Sequence, residues 1–233
     1  MSTPTPELAP DALLGALAHE LRGPLNVCSM WLELLELNAE RPDEVRKAAE
    51  VMRRNLAQQA KLIRELDDVA RLLGGGIELD KATVDLAALL RGACGRWRAA
   101  AAERAVGVVD NLDAGATPVE GDEERLLQAL GYCFDNALAA TPAGGRVTVR
   151  LGRGDDHADC TISDTGEGLD PAERDRFFAA PLSGLRRQKG HGLRLVIARH
   201  IIGRHGGSLT IASAGAAHGC TLTVRLPLRG QHR

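Results

Sequence analysis

The sequence predicts an α+β protein: an N-terminal helical hairpin, then an α/β sandwich whose sheet is mixed but mostly antiparallel. Three observations carry this. Up to residue 73, apolar residues recur every three or four positions in two long runs, the period of a helix face. Gly74-Gly75-Gly76 then interrupts the pattern with three residues that lack a Cβ and so hold no preferred conformation. Beyond it, short alternating segments such as Val147-Thr148-Val149 and Leu222-Thr223-Val224 read as strands, interleaved with three further helical runs.

In order along the chain, residues 1–10 are rich in Pro and Thr and carry no core pattern, so they read as a disordered N-terminus. The first helix runs from Asp11, a good N-cap, to Leu37, with Leu14, Leu17, Leu21, Leu25, Cys28, Leu32 and Leu35 on one face. Pro24 should bend or loosen it. Asn38 to Pro42 is a turn. The second helix places Val45, Ala49, Met52, Leu56, Ile63, Leu66, Ala70 and Leu73 at alternating spacings of four and three, with Gln59 in the remaining place, which is a bundle seam. Two such helices cannot bury both stripes alone. A second copy completing a four-helix bundle would, so a homodimer is expected; packing of the hairpin on its own C-terminal domain is the alternative. The domain boundaries follow as a hairpin over 11–73, a linker over 74–79, a second domain over 80–228 and a tail over 229–233. Within the second domain, strands are expected at Thr83–Asp85, Val106–Asn111, Pro118–Gly121, Arg146–Leu151, Ala158–Ser163, Ser208–Ser213 and Thr221–Leu226. Helices are expected at Leu86–Glu103, Glu123–Ala140 and Leu193–His205, on one face of the sheet.

Composition narrows the function. The 233 residues carry a net charge of −2, 44% hydrophobic and 26% charged residues, which argues against a nucleic-acid or membrane-surface partner. Aromatics at 3% argue against base stacking. Five scattered cysteines, without C-x-x-C pairing, fit reduced thiols rather than disulfides or a zinc site. No apolar run approaches the roughly 20 residues of a membrane helix, and the first residues do not resemble a signal peptide. A cytoplasmic location is expected.

Candidate chemistry begins at His19 in Ala18-His19-Glu20-Leu21-Arg22-Gly23-Pro24-Leu25. At about 100° per residue, His19 points roughly 200° from Leu17 and Leu21, onto the solvent face of its helix. An accessible imidazole with an adjacent carboxylate suits a nucleophile or phospho-acceptor; taken alone, the alternative is a solvated surface pair. In the second domain, the amide of Asn136, if turned inward, offers a neutral oxygen suited to Mg²⁺; the alternative is a helix-interior amide hydrogen-bonded for packing. Asp164-Thr165-Gly166-Glu167-Gly168 follows an apolar strand: a carboxylate there can accept from an exocyclic amine, and the glycines allow close backbone approach. Gly190-His191-Gly192-Leu193 opens a helix whose free N–H groups suit phosphate. Gly206-Gly207-Ser208 and Gly219-Cys220-Thr221 read as mainly structural.

Over residues 11–228 these segments, in this order, resemble the kinase core of two-component sensor histidine kinases, and the second domain resembles the GHKL ATP-binding fold. His19-Glu20-Leu21-Arg22-x-Pro24-Leu25 looks like the family's phospho-accepting box, Asn136 its asparagine box, Asp164-x-Gly166-x-Gly168 and Gly190-x-Gly192-Leu193 its two glycine boxes. The resemblance implies an ATP-binding catalytic domain over 80–228, with ATP and Mg²⁺ as cofactors. Asp164 would read the adenine amine and Asn136 would meet the metal. Leu169–Lys189 would be a lid anchored by Phe177-Phe178, with Arg186, Arg187 and Lys189 toward phosphate. It implies autophosphorylation of His19, with Glu20 handling the other ring proton, then transfer to an aspartate of a response-regulator receiver domain. Residues 1–10 leave no room for a sensor, so a separate input protein is expected. Departures from the family pattern are Tyr132 for a second asparagine, Ala139 for a basic residue, Ala140 for an aromatic, and Gly23 for the Thr or Asn linked to phosphatase activity. They leave as the alternative a degenerate core acting as a dimeric scaffold, regulator or phosphotransfer protein.

Overall fold

A computed structural model describes residues 10–37, 40–73, 78–112, 115–170, 192–215 and 217–229. The chain divides into two compact units: one holds the two N-terminal helices, the other everything described from residue 78 onward.

Helix α1 (Pro10–Leu37) begins on proline, whose missing N–H costs nothing in a first helical turn. It continues as helix through Pro24, which is buried; Gly23 eases this, because without a Cβ it escapes part of the clash a proline ring imposes on its predecessor. Helix α2 (Pro42–Leu73) carries Asp43 and Glu44 in its first turn, where the helix dipole favours anions. Its seam splits in two. Val45, Met52, Gln59 and Leu66 are half-buried, and Ala48 and Leu62 fully buried, whereas Ala49, Leu56, Ile63 and Ala70 face outward, with Leu56 and Ile63 54% and 57% exposed. On α1, Leu25 and Leu32 are exposed in the same way. Between the helices, Cys28 Sγ meets the Met52 carbonyl at 3.9 Å and Lys47 Nζ lies 5.6 Å from the Trp31 ring centroid.

The second unit runs β1 (Ala82–Asp85), α3 (Leu86–Ala102), β2 (Gly107–Asn111), β3 (Pro118–Gly121), α4 (Glu123–Ala140), β4 (Arg146–Arg153), β5 (His157–Asp164), α5 (Gly192–Arg204), β6 (Ser208–Ala212) and β7 (Thr221–Pro227). Five strands form one sheet in the order β2-β4-β5-β7-β6; β2 and β4 are parallel and the other pairs antiparallel. Strands β1 and β3 stand apart as an antiparallel ribbon. Alternation fixes which face is buried: Val147, Val149 and Leu151, then Ala158, Cys160 and Ile162, then Leu222, Val224 and Leu226 point inward. The opposite face carries Arg150, Asp159, Thr161 and Arg225, with Arg225 and Asp159 joined by two bonds of 2.7 Å. Most elements fall within a residue or two of expectation. Val106 is excluded from β2 because its N–H closes the end of α3 on the Ala101 carbonyl at 3.0 Å.

Two helices are capped by aspartates. Asp85 Oδ1 accepts from Ala87 N at 3.1 Å and Thr117 N at 2.9 Å, and these amides, Thr117 foremost, hold its carboxyl below the usual range. Asp122 Oδ1 accepts from Arg125 N at 3.1 Å at the start of α4. Trp97 of α3 stacks on Phe134 of α4 with centroids 4.7 Å apart. All five cysteines are free; burial pushes the Cys133 thiol up to about 12, so it packs as a small apolar group.

Candidate functional site

The end of β5 is the focus. Asp164 is the last residue of a strand whose alternate positions are buried, so its side chain continues the inward face and is only 7% exposed. A buried carboxylate needs donors. Here Gly166 N at 2.8 Å and Cys220 N at 3.2 Å both bond to Oδ1. Burial pushes the carboxyl above its ordinary value, with those two amides opposing the rise. Both donors go to one oxygen, which orients the group and leaves Oδ2 directed elsewhere.

The loop after Asp164 is held by backbone that side chains would displace. A Cβ on Gly166 would come 2.2 Å from the Ala140 carbonyl, and one on Gly168, where φ is +68°, 2.2 Å from the Gly215 carbonyl. Ser213 Oγ accepts from Leu169 N at 3.0 Å and donates to the Gly219 carbonyl at 2.8 Å. Gly219, with φ of +66°, has no room for a Cβ, which would lie 2.0 Å from the Asp164 carbonyl. The segment 219–221, read from sequence as mainly structural, therefore supplies one of the two amides that fix Asp164. A glycine two residues before a strand that pairs with β5 was the available signal. Ser213 left none.

Asn136 lies on α4, half-buried, one turn before Ala140 and hence near the Gly166 contact. Its neighbour Asp135 pairs with Arg194 at 3.8 Å, tying α4 to the first turn of α5. Gly192 and Leu193 open α5, at the helix end where backbone N–H groups are free. Tyr132 packs on the same helix, its hydroxyl accepting from Gln128 Nε2 at 3.2 Å, while Gln128 Oε1 accepts from Arg125 at 2.9 Å. Tyrosine side chains in helices lean toward the N-terminus, so this hydroxyl is drawn away from Asn136. Among the described residues no three His, Cys, Asp or Glu side chains converge on a metal position. A single amide oxygen such as that of Asn136 is compatible with Mg²⁺, which keeps most of its waters and shares ligands with phosphate. His19 and Glu20 lie within α1, but their side chains fall outside the described residues, as do Gly190 and the expected lid from 171 to 189.

What this geometry defines is an ATP-binding module of the GHKL type carried behind a helical hairpin. Residues 121–230 match the family described as histidine kinase-, DNA gyrase B-, and HSP90-like ATPase, and residues 11–75 match the His Kinase A (phospho-acceptor) domain. Between them they cover most of the chain, which belongs to the two-component sensor histidine kinase family. The sensor-like histidine kinase SenX3 of Mycolicibacterium smegmatis is 31% identical over 214 residues, covering 90% of this chain and 55% of that protein. The chain thus spans about half the length of the curated relatives it matches. Full-length ShkA, solved with AMPPNP, superposes with a TM-score of 0.69 at 27% identity over 93% of this chain and 45% of that one. The histidine kinase ThkA, solved with the response regulator TrrA, shares the fold with a TM-score of 0.70 at 17% identity, covering 95% of this chain and 62% of that one.

Proposed function

We propose that this protein is an ATP-dependent protein-histidine kinase that autophosphorylates on His19 and passes the phosphoryl group to an aspartate of a response-regulator receiver domain. The observation that carries the reading is Asp164: a buried carboxylate at a strand end, one oxygen fixed by two amides, in a chain whose N-terminal helix holds a His-Glu pair. Asp164 Oδ2 accepts from the adenine amine, and the glycines at 166 and 168 bring backbone against the base. Asn136 and the amino end of α5 face the phosphates. Mg²⁺, when bound, neutralises charge on the transferring group. A ring nitrogen of His19 attacks the γ-phosphorus in line; the N–P bond forms as the bond to the bridging oxygen breaks, and ADP leaves. Glu20 orients or accepts the proton on the other ring nitrogen. Positioning and charge neutralisation supply most of the catalysis.

The working form is a homodimer, because Leu25, Leu32, Leu56 and Ile63 leave an apolar face on a helical hairpin that a second copy would cover. No described helix is long and apolar enough to cross a membrane, and a cytoplasmic site of action suits the reading. Nothing in the comparisons favours a degenerate core.

The test is incubation with γ-labelled ATP and Mg²⁺. The wild type acquires acid-labile, base-stable label, and His19→Gln and Asp164→Asn do not. Label persisting in His19→Gln would refute the assignment.

A further inference from the structure

Two short side chains leave room beside the path between Asp164 and Asn136. Ala139 and Ala140 end α4, and with Thr165, Gly166, Ala217 and Arg104 they line a cavity of about 560 Å³. That volume lies within the range of small-molecule sites, here as an open groove rather than an enclosed cavity. The cavity begins at the residue after Asp164 and reaches the helical turn after Asn136, so a nucleotide spanning those two residues passes along it.

Its lining has a definite chemistry. Both threonine hydroxyls are already engaged: Thr165 Oγ1 accepts from Arg146 N at 3.0 Å, and Thr141 Oγ1 donates to the Ala137 carbonyl at 2.7 Å. Among the described residues, the rest of the lining is alanine, Pro142, Gly166, Glu167 and Arg104. Small apolar walls with a guanidinium suit a flat aromatic group, on which arginine stacks well. Arg104 is set by the turn that closes α3, where its N–H bonds to the Ala101 carbonyl at 3.0 Å, and Gly144 N ties the next residue, Ala105, to the loop after α4 at 2.8 Å.

We propose that this cavity is an annex of the nucleotide pocket, that Ala140 is its specificity-determining residue, and that it admits ATP bearing an aromatic substituent on the purine. The inference rests on reading Asp164 as the base contact and Asn136 as the metal contact. A phenylalanine at 140 fills the annex with its own ring.

The experiment measures kcat/KM for autophosphorylation of the full chain with ATP, N6-benzyl-ATP and 8-benzylamino-ATP, and compares the analogue-to-ATP ratio within each protein. In the wild type at least one analogue keeps a ratio above about 0.1, and Ala140→Phe lowers that ratio at least about tenfold, the discrimination a filled apolar pocket provides. Both analogues below that ratio in the wild type, or a smaller change in the variant, would overturn the proposal. If Ala140→Phe does not fold, Ala139→Leu from the same wall makes the same comparison. Failure of the wild type to use ATP itself would sink the underlying assignment as well, and the ATP arm reports it separately.

Discussion

At the scale of single residues, the proposed role gives Asp164 a conflict between fold and ligand. Burial raises its carboxyl above its ordinary value despite two amide donors, so the fold favours the neutral form more than water does, while the anion is the stronger acceptor for an adenine amine. The signs are opposite. As pH falls through this raised value, the folded state gains stability relative to the unfolded chain and nucleotide affinity is lost. Asp164→Asn keeps an oxygen for Gly166 N and Cys220 N but turns a donor toward the amine. Thermal stability should hold or rise, while ATP affinity falls by one to two orders of magnitude, the scale of a lost charge-assisted hydrogen bond. A melt and an ATP titration on the same sample decide it; parallel loss of stability and binding would make Asp164 a structural residue only. Asp164 was legible because a carboxylate and two glycines directly follow an apolar strand. Ser213 and the Cys220 amide were not, because they act through the backbone of a segment about fifty residues away, and no local spacing encodes that approach.

At the scale of elements, α4 is anchored at both ends. At its end, Arg194 holds Asp135 beside Asn136. At its start, buried His205, directly after α5, accepts from Asp122 N at 3.0 Å through Nε2 and bonds the Ile201 carbonyl at 2.7 Å through Nδ1. That pattern needs the neutral ring protonated on Nδ1. Burial is the main cause of a pKa below the ordinary 6.5, with Lys81 lowering it further and Asp122 and the Ile201 carbonyl opposing. Because the folded value is depressed, this contribution is complete above 6.5 and is lost as pH falls from there through the lower folded value. Between about pH 7.5 and 5.5 the wild-type ATP-binding unit should lose melting temperature more steeply than His205→Gln, whose amide oxygen accepts without titrating. Equal slopes in the two proteins would refute the role. The positions of α4 and α5 could be read from helical periodicity and from Asp122 as cap. Their mutual anchoring could not, because it joins residues 83 positions apart. The same holds for the sheet: alternation located its strands, whereas the separation of β1 and β3 into a ribbon depends on pairing partners that periodicity does not specify.

At the scale of the whole molecule, the two units bury apolar surface by different routes. The ATP-binding unit has a closed core beneath one sheet face, with Phe134, Leu90 and Ile197 fully buried. The hairpin keeps half its seam outward, with Leu56 and Ile63 more than half exposed. An antiparallel pair of helices with one buried stripe is marginal alone, so its stability should come from association and follow mass action, whereas that of the ATP-binding unit should follow ligand. Calorimetry of the full chain is then expected to resolve two transitions. Raising protein concentration moves the hairpin transition upward and leaves the other in place. Saturating ATP–Mg²⁺ moves only the second, by about 2.7 kcal/mol at a hundredfold excess over Kd. Replacing Leu56 and Ile63 together with aspartate places charges on the outward seam; it should abolish the concentration dependence and yield a monomer by sedimentation, with the ATP-linked shift retained. The contrast between the two perturbations is what the folding pattern requires. A hairpin transition insensitive to concentration, or a double variant that remains dimeric, would mean that something other than a second copy covers the outward seam.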